Sequence, residues 1–212
     1  MPGERMADDA RMPQSVAIRL ADPDRHAADV AEIYRPSVES SLATFEETPP
    51  DAAAVAARMR AILARTPWLV ALEPGTDRVV GYAYASPHHE RAGYRWSVNI
   101  SVYVRAGAQG RGIGRALYDR LLGLLRRQRF VNVYAGIALP NAASEALHAA
   151  IGMDRIGIYR SVGHKHGRWV DVAWYGLRLR DPDDPPEEPI PIGELADAGS
   201  EPEPLAGDAG AR

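Results

Sequence analysis

The chain has no cysteine. That excludes a disulfide framework and any cysteine-ligated metal site, and it fits a reducing compartment. No apolar run approaches the roughly 20 residues of a membrane-spanning helix. Residues 1–14 are polar and lack the apolar stretch of a signal peptide. Basic residues are not gathered along one stretch, so the electrostatic footprint of a nucleic-acid-binding protein is missing too. These absences predict a soluble, cytoplasmic protein with no nucleic-acid or membrane partner.

What is present is enough for one ordinary domain: 212 residues, 46% of them hydrophobic. The net charge of -3 hides an asymmetry. Residues 180–212 carry ten acidic and two basic side chains, a net of -8, which leaves the remainder at +5. A mildly basic domain suits a phosphorylated or carboxylated ligand. The acidic end also holds seven of the seventeen prolines and no aromatic residue. Such composition buries little apolar surface against the entropy of ordering. The expected organisation is therefore a disordered tail over 1–14, a domain over 15–180, and an acidic, proline-rich disordered tail over 181–212.

Within the domain, strand and helix signals mix. Residues 16–20 read as a strand. Asp22 or Asp24 can cap a helix with Val30, Ile33, Tyr34 and Val38 at helical spacing, which Pro36 should kink or end. Asp51 can cap a second helix. Residues 68–72 and 79–85 are strand-like around a Pro74-Gly75 turn, and 94–104 reads as one long strand. Residues 113–127 form an amphipathic helix with Ile113, Leu117, Leu121, Leu124 and Leu125 on one side. A strand at 131–137, a helix at 141–151 stopped by Gly152, and strands at 156–161 and 169–179 complete the order. The class is α+β, a mixed α/β sandwich, because a doubly wound sheet would alternate more strictly.

The most informative feature is the junction between the long strand and the amphipathic helix, Gln109-Gly110-Arg111-Gly112-Ile113-Gly114-Arg115. Glycines permit the positive φ angles that turn successive N–H groups to one side. The first N–H groups of a helix have no internal partner and sit at the positive end of its dipole, a ready anion site. Arg111 and Arg115 can add charge at the rim. A Walker loop fails because Ile113 stands where its lysine must be. A dinucleotide fingerprint fails because Gly114 follows Gly112 at the wrong spacing. The pattern Gln/Arg-x-x-Gly-x-Gly/Ala fits Gln109, Gly112 and Gly114. A tight turn with no ligand accounts for the same glycines.

The context Ser101-Val102-Tyr103-Val104-x4-Gln109-Gly-Arg-Gly-Ile-Gly-Arg-Ala-Leu-Tyr118 resembles the signature of the GNAT superfamily of N-acetyltransferases. Trp68-Leu-Val-Ala, Gly81-Tyr-Ala-Tyr-Ala, Tyr94-x-Trp96, Leu139-Pro-Asn141 and Lys165-His-Gly-x-Trp169-x-Asp171-Val are similar to its phosphinothricin acetyltransferase branch. The resemblance implies the GNAT fold, a mixed and mostly antiparallel sheet splayed in the middle, with helices on both faces and acetyl-CoA in the split. It implies that Gln109, Gly110, Arg111, Gly112, Ile113, Gly114 and Arg115 cradle the CoA pyrophosphate. Val102, Tyr103 and Val104 would lie along the pantetheine arm, with a backbone N–H of that strand facing the thioester oxygen. Asn141 would hold the cofactor, although it also suits an N-cap.

Catalysis needs the acceptor ammonium to lose a proton and the leaving thiolate to gain one. By the resemblance, His148 takes part in proton transfer; the plainer alternative is a half-buried helix histidine. Asn99 stands where the branch carries a glutamate base. An amide accepts no proton at neutral pH, so Asn99 can orient the amine or a water but not act as the base. A water chain or His148 would then take the proton. The alternation of Ser97, Asn99, Ser101 and Tyr103 against apolar neighbours suggests a polar row facing a cavity, which a β-bulge could redirect. Arg91, within Arg91-Ala92-Gly93-Tyr94, would bind the acidic group of the acceptor, with Arg95 and His89 as helpers. Phe45 would wall the acceptor pocket or belong to the core. His88-His89 lacks an acidic partner set, so no metal is expected.

These readings lead to an acetyl-CoA-dependent N-acetyltransferase acting on the α-amino group of a small amino-acid-like acceptor of the phosphinothricin or methionine sulfoximine type. A protein N-terminal acetyltransferase and a CoA-binding module of low activity are the alternatives. The branch implies a homodimer, for which Trp169, Trp174 and Tyr175 could supply an apolar face.

Overall fold

The computed structural model describes residues 16–195. Its elements run β1 (Ala17–Leu20), α1 (Pro23–Glu39), α2 (Ala52–Leu63), β2 (Trp68–Leu72), β3 (Val79–Pro87), a 3-10 turn (Ala92–Tyr94), β4 (Ser97–Val104), α3 (Ile113–Arg127), β5 (Asn132–Ala138), α4 (Ala142–Ala150), β6 (Asp154–Lys165), β7 (Arg168–Arg178) and a second 3-10 turn (Ile192–Glu194). Among the described residues seven strands form one sheet in the order β1-β2-β3-β4-β5-β7-β6. Every neighbouring pair is antiparallel except β4 and β5.

Each helix begins where a side chain satisfies its free N–H groups. Asp22 accepts from the N–H of Asp24 at 2.9 Å, with Pro23 opening the helix. Asp51 accepts from Ala54 at 2.7 Å and Asn141 from Ser144 at 3.2 Å. The exception is α3, whose N-cap is Gly112 at φ 77° with no side-chain cap, so its first N–H groups have no local side-chain acceptor. Pro36 does not end α1, which continues to Glu39. The proline falls in the last turn, where little helix follows to be disrupted.

Two apolar layers hold the sheet. Leu117, Leu121, Leu124 and Leu125 of α3 pack with Val98, Ile100, Val133 and Ala173 on one face. Val30, Ile33 and Tyr34 of α1 and Val55 and Met59 of α2 pack with Val70, Leu72 and Tyr82 on the other.

The parallel pairing of β4 with β5 covers only Ser97↔Asn132, Val98↔Val133 and Asn99↔Tyr134. Beyond Asn99 the two strands part, and the β5-facing edge of residues 100–104 has no strand partner. On its other side β4 pairs with β3 from Pro87↔Val98 to Gly81↔Val104 without a register shift. The bulge is therefore absent, and Asn99, Ser101 and Tyr103 share one face.

Three expectations are corrected. The strand expected over 94–104 begins only at Ser97, because residues 92–94 form a 3-10 turn; the β-favouring aromatics Tyr94 and Trp96 suggested a longer run. Strand β6 is longer than its apolar pattern, since two register shifts let it follow β7 from Asp154 to Lys165. The acidic tail does not begin at 181: residues 181–195 lie on the domain. Glu188 pairs with Arg95 at 2.7 Å, and Trp96 Nε1 donates to the Glu187 carbonyl at 2.7 Å. Gln128 Nε2 donates to the carbonyls of Arg65 and Ile190, and Ile192 is 2% exposed. Ile192 enters the core with Leu195 packed against it, and averaging over the acidic, proline-rich stretch concealed those anchors. The remaining tail positions, 1–14 and 196–212, lie outside the described residues.

Candidate active site

The parting of β4 and β5 opens a cavity of about 640 Å³, within the usual range for a small-molecule site. Its walls are residues 100–104 of β4, Gly136, Ile137 and Ala138 of β5, the glycine turn and start of α3, and Asn141, Ser144, Leu147 and His148 beside and along α4. Ile33, Pro36 and Ser37 of α1 close one side, with Ser41 and Ala43 of the loop after it.

Of the residues expected to hold the cofactor, Val102, Tyr103, Val104, Gln109, Gly110, Gly112, Ile113, Gly114, Arg115 and Asn141 all line this cavity. Gly110 and Gly112 have φ of 74° and 77°, with open space where a Cβ would stand, so the turn exposes its backbone as an anion cradle requires. At Gly114 a Cβ would lie 3.2 Å from Leu147 Cδ2 and 3.8 Å from the Val102 and Val104 side chains. A bare backbone there keeps the throat between strand and helices open. These are the features a diphosphate with an extended arm would need, so the residues fit the cofactor. The side chain of Arg115 is engaged, with Nε 2.9 Å from both Asp119 oxygens and Nη1 donating to the Ala150 carbonyl at 2.8 Å. It ties α3 to the end of α4. Arg111 is exposed on the turn and is not part of the cavity wall.

His148 is 4% exposed and reaches the cavity from α4. Its Nδ1 lies 2.7 Å from the Ser144 carbonyl and its Nε2 lies 3.1 Å from the Tyr118 hydroxyl. A carbonyl only accepts, so Nδ1 carries the hydrogen and Nε2 accepts the Tyr118 proton. Burial lowers the imidazole pKa, partly offset by the bond to Ser144. Burial pushes the Tyr118 phenol well up. The resting pair is thus a neutral imidazole and a neutral phenol.

The structure does not bring every expected residue to that wall. Arg91, Ala92 and Tyr94 line a separate small pocket of about 50 Å³ with Arg65, Thr66 and Phe130, and Gly93 lies between them on the exposed turn. Asn99 lies at the vertex where β4 and β5 separate, and its Oδ1 is 2.9 Å from His88 Nδ1. Phe45, on the α1–α2 loop, packs its ring edge atoms against Gly163 of β6, where a Cβ would come within 2.2 Å of them. Nearby, Lys165 Nζ donates to the carbonyls of Ser37 at 3.2 Å and Thr44 at 2.8 Å, fastening β6 to the loop over the cavity. Glu46 on that loop accepts from Arg58 at 2.8 and 3.0 Å and from Tyr34 at 2.9 Å. Burial acts to raise this carboxyl, but the two donors outweigh it and hold its pKa below the ordinary value. Tyr34 is pushed up to about 12, chiefly by burial.

Tyr118, Ser144 and His88 were not singled out for these roles in the sequence. Ser144 lies four residues before His148, a helical spacing that offers the contact. Tyr118 lies four after Gly114, hence on the cavity side of α3. Among the described residues no group of three or more His, Asp or Glu is placed to hold a metal, and no helix is long and apolar enough to cross a membrane.

Comparison with known proteins agrees with this geometry. The acetyltransferase (GNAT) domain family matches residues 25–174. A phosphinothricin N-acetyltransferase from Alcaligenes faecalis is 37% identical over 173 residues, covering 76% of this chain and 86% of that protein. The L-amino acid N-acyltransferase MnaT of Escherichia coli is 36% identical, covering 80% of this chain and 98% of that protein. Among solved structures, a phosphinothricin acetyltransferase from Sinorhizobium meliloti in complex with AcCoA superposes with a TM-score of 0.76 at 35% identity, covering 87% of this chain and 97% of the other. The protein yncA of Salmonella typhimurium with its cofactor acetyl-CoA also gives 0.76, at 34% identity, covering 80% and 97%. The glycine cradle, the split sheet and these likenesses agree: the chain belongs to the GNAT family and is an acetyl-CoA-dependent N-acetyltransferase.

Proposed function

We infer that the chain acetylates the α-amino group of a small amino-acid-like acceptor, of the phosphinothricin or methionine sulfoximine type, by direct attack of the amine on the acetyl group. The observation that carries this reading is the cavity at the parting of β4 and β5, with the glycine turn at one end and the Tyr118–His148 pair in its wall. The N–H groups around Gly110, Gly112 and Gly114 grip the diphosphate, and the free edge of residues 100–104 pairs with the amide-bearing arm. A β4 N–H facing the acetyl oxygen stabilises the charge that grows there. Tyr118 gives its proton to the departing sulfur, and His148 holds the phenol and exchanges protons with it. Arg91, on its exposed turn, captures the acidic group of the acceptor, and Phe45 and the Lys165-fastened loop shape the acceptor side.

The names of the relatives support this class of acceptor: phosphinothricin, L-methionine sulfoximine and L-amino acids. The decisive experiment is a panel of amines assayed for acetyl-CoA-dependent thiol release, including phosphinothricin, methionine sulfoximine, common amino acids and peptides. Preference for amino-acid-like acceptors supports the reading. Acetylation of peptide N-termini alone, or cofactor binding without turnover, overturns it. We assign the enzyme to the cytoplasm, where acetyl-CoA is available, and to a homodimer. The exposed apolar side chains Ile156, Tyr159 and Val162 of β6 and Trp169 of β7 support the dimer, which light scattering tests.

A further inference from the structure

We propose that His88 is the general base of this enzyme and that Asn99 is the residue that positions it. The inference rests on the acetyltransferase reading above and supplies the base that an amide at position 99 cannot be.

Asn99 sits at the last rung of the β4–β5 pairing, opposite Tyr134, where the strands begin to part. Two residues further on the same face is Ser101, which lines the cavity, about 6.6 Å away at the rise of a strand. His88, just past the end of β3, lies beside Asn99, its backbone N–H bonded to the Ser97 carbonyl at 3.2 Å. Its Nδ1 is 2.9 Å from Asn99 Oδ1, while Asn99 Nδ2 faces the Pro87 carbonyl at 3.5 Å. The Pro87 carbonyl can only accept, so the amide nitrogen belongs on its side and Oδ1 on the side of His88. Oδ1 is an acceptor, so His88 Nδ1 carries the hydrogen and Nε2 keeps its lone pair. That is the tautomer a base requires, fixed by a neutral partner that does not itself compete for the proton.

The ring is half-buried and held by its neighbours. The Tyr134 ring of β5 lies 4.4 Å away, centroid to centroid, Tyr94 of the 3-10 turn 6.0 Å and Trp174 of β7 6.3 Å. Tyr94 and Tyr134 are thus the titratable groups that face it, with Asn99 and Trp174 completing its surroundings. Arg91 lies on the same β3–β4 connection, three residues after His88.

The protons balance. An acceptor ammonium sheds two on becoming an amide. The first passes to His88 Nε2, directly or through one water, and from there to solvent. The freed amine pair forms the N–C bond, and the C–S bond breaks with its pair left on sulfur. The second proton from nitrogen replaces the one that sulfur takes at the Tyr118 end.

The test is His88→Gln and Asn99→Asp, assayed with a working amine acceptor across pH, with acetyl-CoA affinity measured by calorimetry. His88→Gln is expected to lower kcat by about 10²- to 10⁴-fold, leave acetyl-CoA affinity unchanged and abolish the acid limb of the kcat/KM profile. Asn99→Asp is expected to keep the acid limb and move it to higher pH, because a carboxylate beside Nδ1 favours the charged ring. Wild-type kcat with an intact acid limb in His88→Gln overturns the proposal. If that variant fails to fold, an unmoved limb in Asn99→Asp overturns it alone. A wild-type protein that binds acetyl-CoA and acetylates no amine overturns instead the reading on which the proposal rests.

Discussion

The hydroxyl of Tyr118 lies 3.1 Å from Nε2 of His148, joining α3 to α4 across the wall of the cavity. Because Nδ1 of the same ring is bonded to the Ser144 carbonyl, the two side chains form one unit with a defined direction of donation. Residues that act as a unit give non-additive losses when removed. Tyr118→Phe and His148→Ala are each expected to reduce kcat by about 10²-fold or more, and the double variant is expected to lose little beyond the worse single one. Multiplicative losses in steady-state kinetics would show that the two side chains act separately.

Gly112 caps α3 in the left-handed region, with nothing near the place of a Cβ. A side chain there meets conformational strain rather than a clash. Gly112→Ala is expected to cost about 1–2 kcal/mol in stability and to weaken coenzyme A binding by tilting the N–H groups of the turn. Denaturant melts and calorimetric titration with coenzyme A measure the two effects independently.

Gly163→Ala brings a methyl group onto the space occupied by the Phe45 ring. The ring is partly exposed and free to swing outward, so we expect it to move rather than the strand. Acceptor KM should change while coenzyme A affinity and melting temperature stay near wild type. A variant that unfolds, or one whose acceptor KM is unchanged, would remove Phe45 from the acceptor side.

Stability should fall in mild acid. His148 and His26 are both buried, and burial lowers both pKa values. His26 Nδ1 accepts from the Asp22 N–H at 2.8 Å, a bond that protonation at that nitrogen would break. Above about pH 6.5, the ordinary histidine value, neither the folded nor the unfolded chain carries these protons, and the shifts do not act. As pH drops below that value the unfolded chain takes up protons first, and stability declines until the lowered folded values are passed. Urea melts between pH 7.5 and 5 on wild type and His26→Gln test this; an equally steep decline in the variant removes His26 from the effect.

The site's local parts were legible in the sequence, and its long-range parts were not. The glycine turn could be read because its chemistry lies within seven consecutive residues, and the polar face of β4 because strand alternation is local. The caps Asp51 and Asn141 follow from residue type and position. By contrast, the Tyr118–His148 contact joins two helices, and His88–Asn99 joins the connection after β3 to β4 through a tautomer that only the carbonyl of Pro87 fixes. The aromatics of the 94–96 stretch favoured a strand that the 3-10 turn interrupts. The acids and prolines of residues 181–195 have the composition of a tail, although Ile192 fills the core.

That last segment has a practical meaning for work on the protein. Its carboxylate at Glu188 and its carbonyl at Glu187 grip Arg95 and Trp96, four and three residues ahead of Asn99. Trimming the chain after residue 180 to remove an acidic appendage would loosen the approach to the vertex of the sheet. An enzyme shortened in that way would report on a damaged base rather than on a dispensable tail, and any shortened form should keep everything through Leu195.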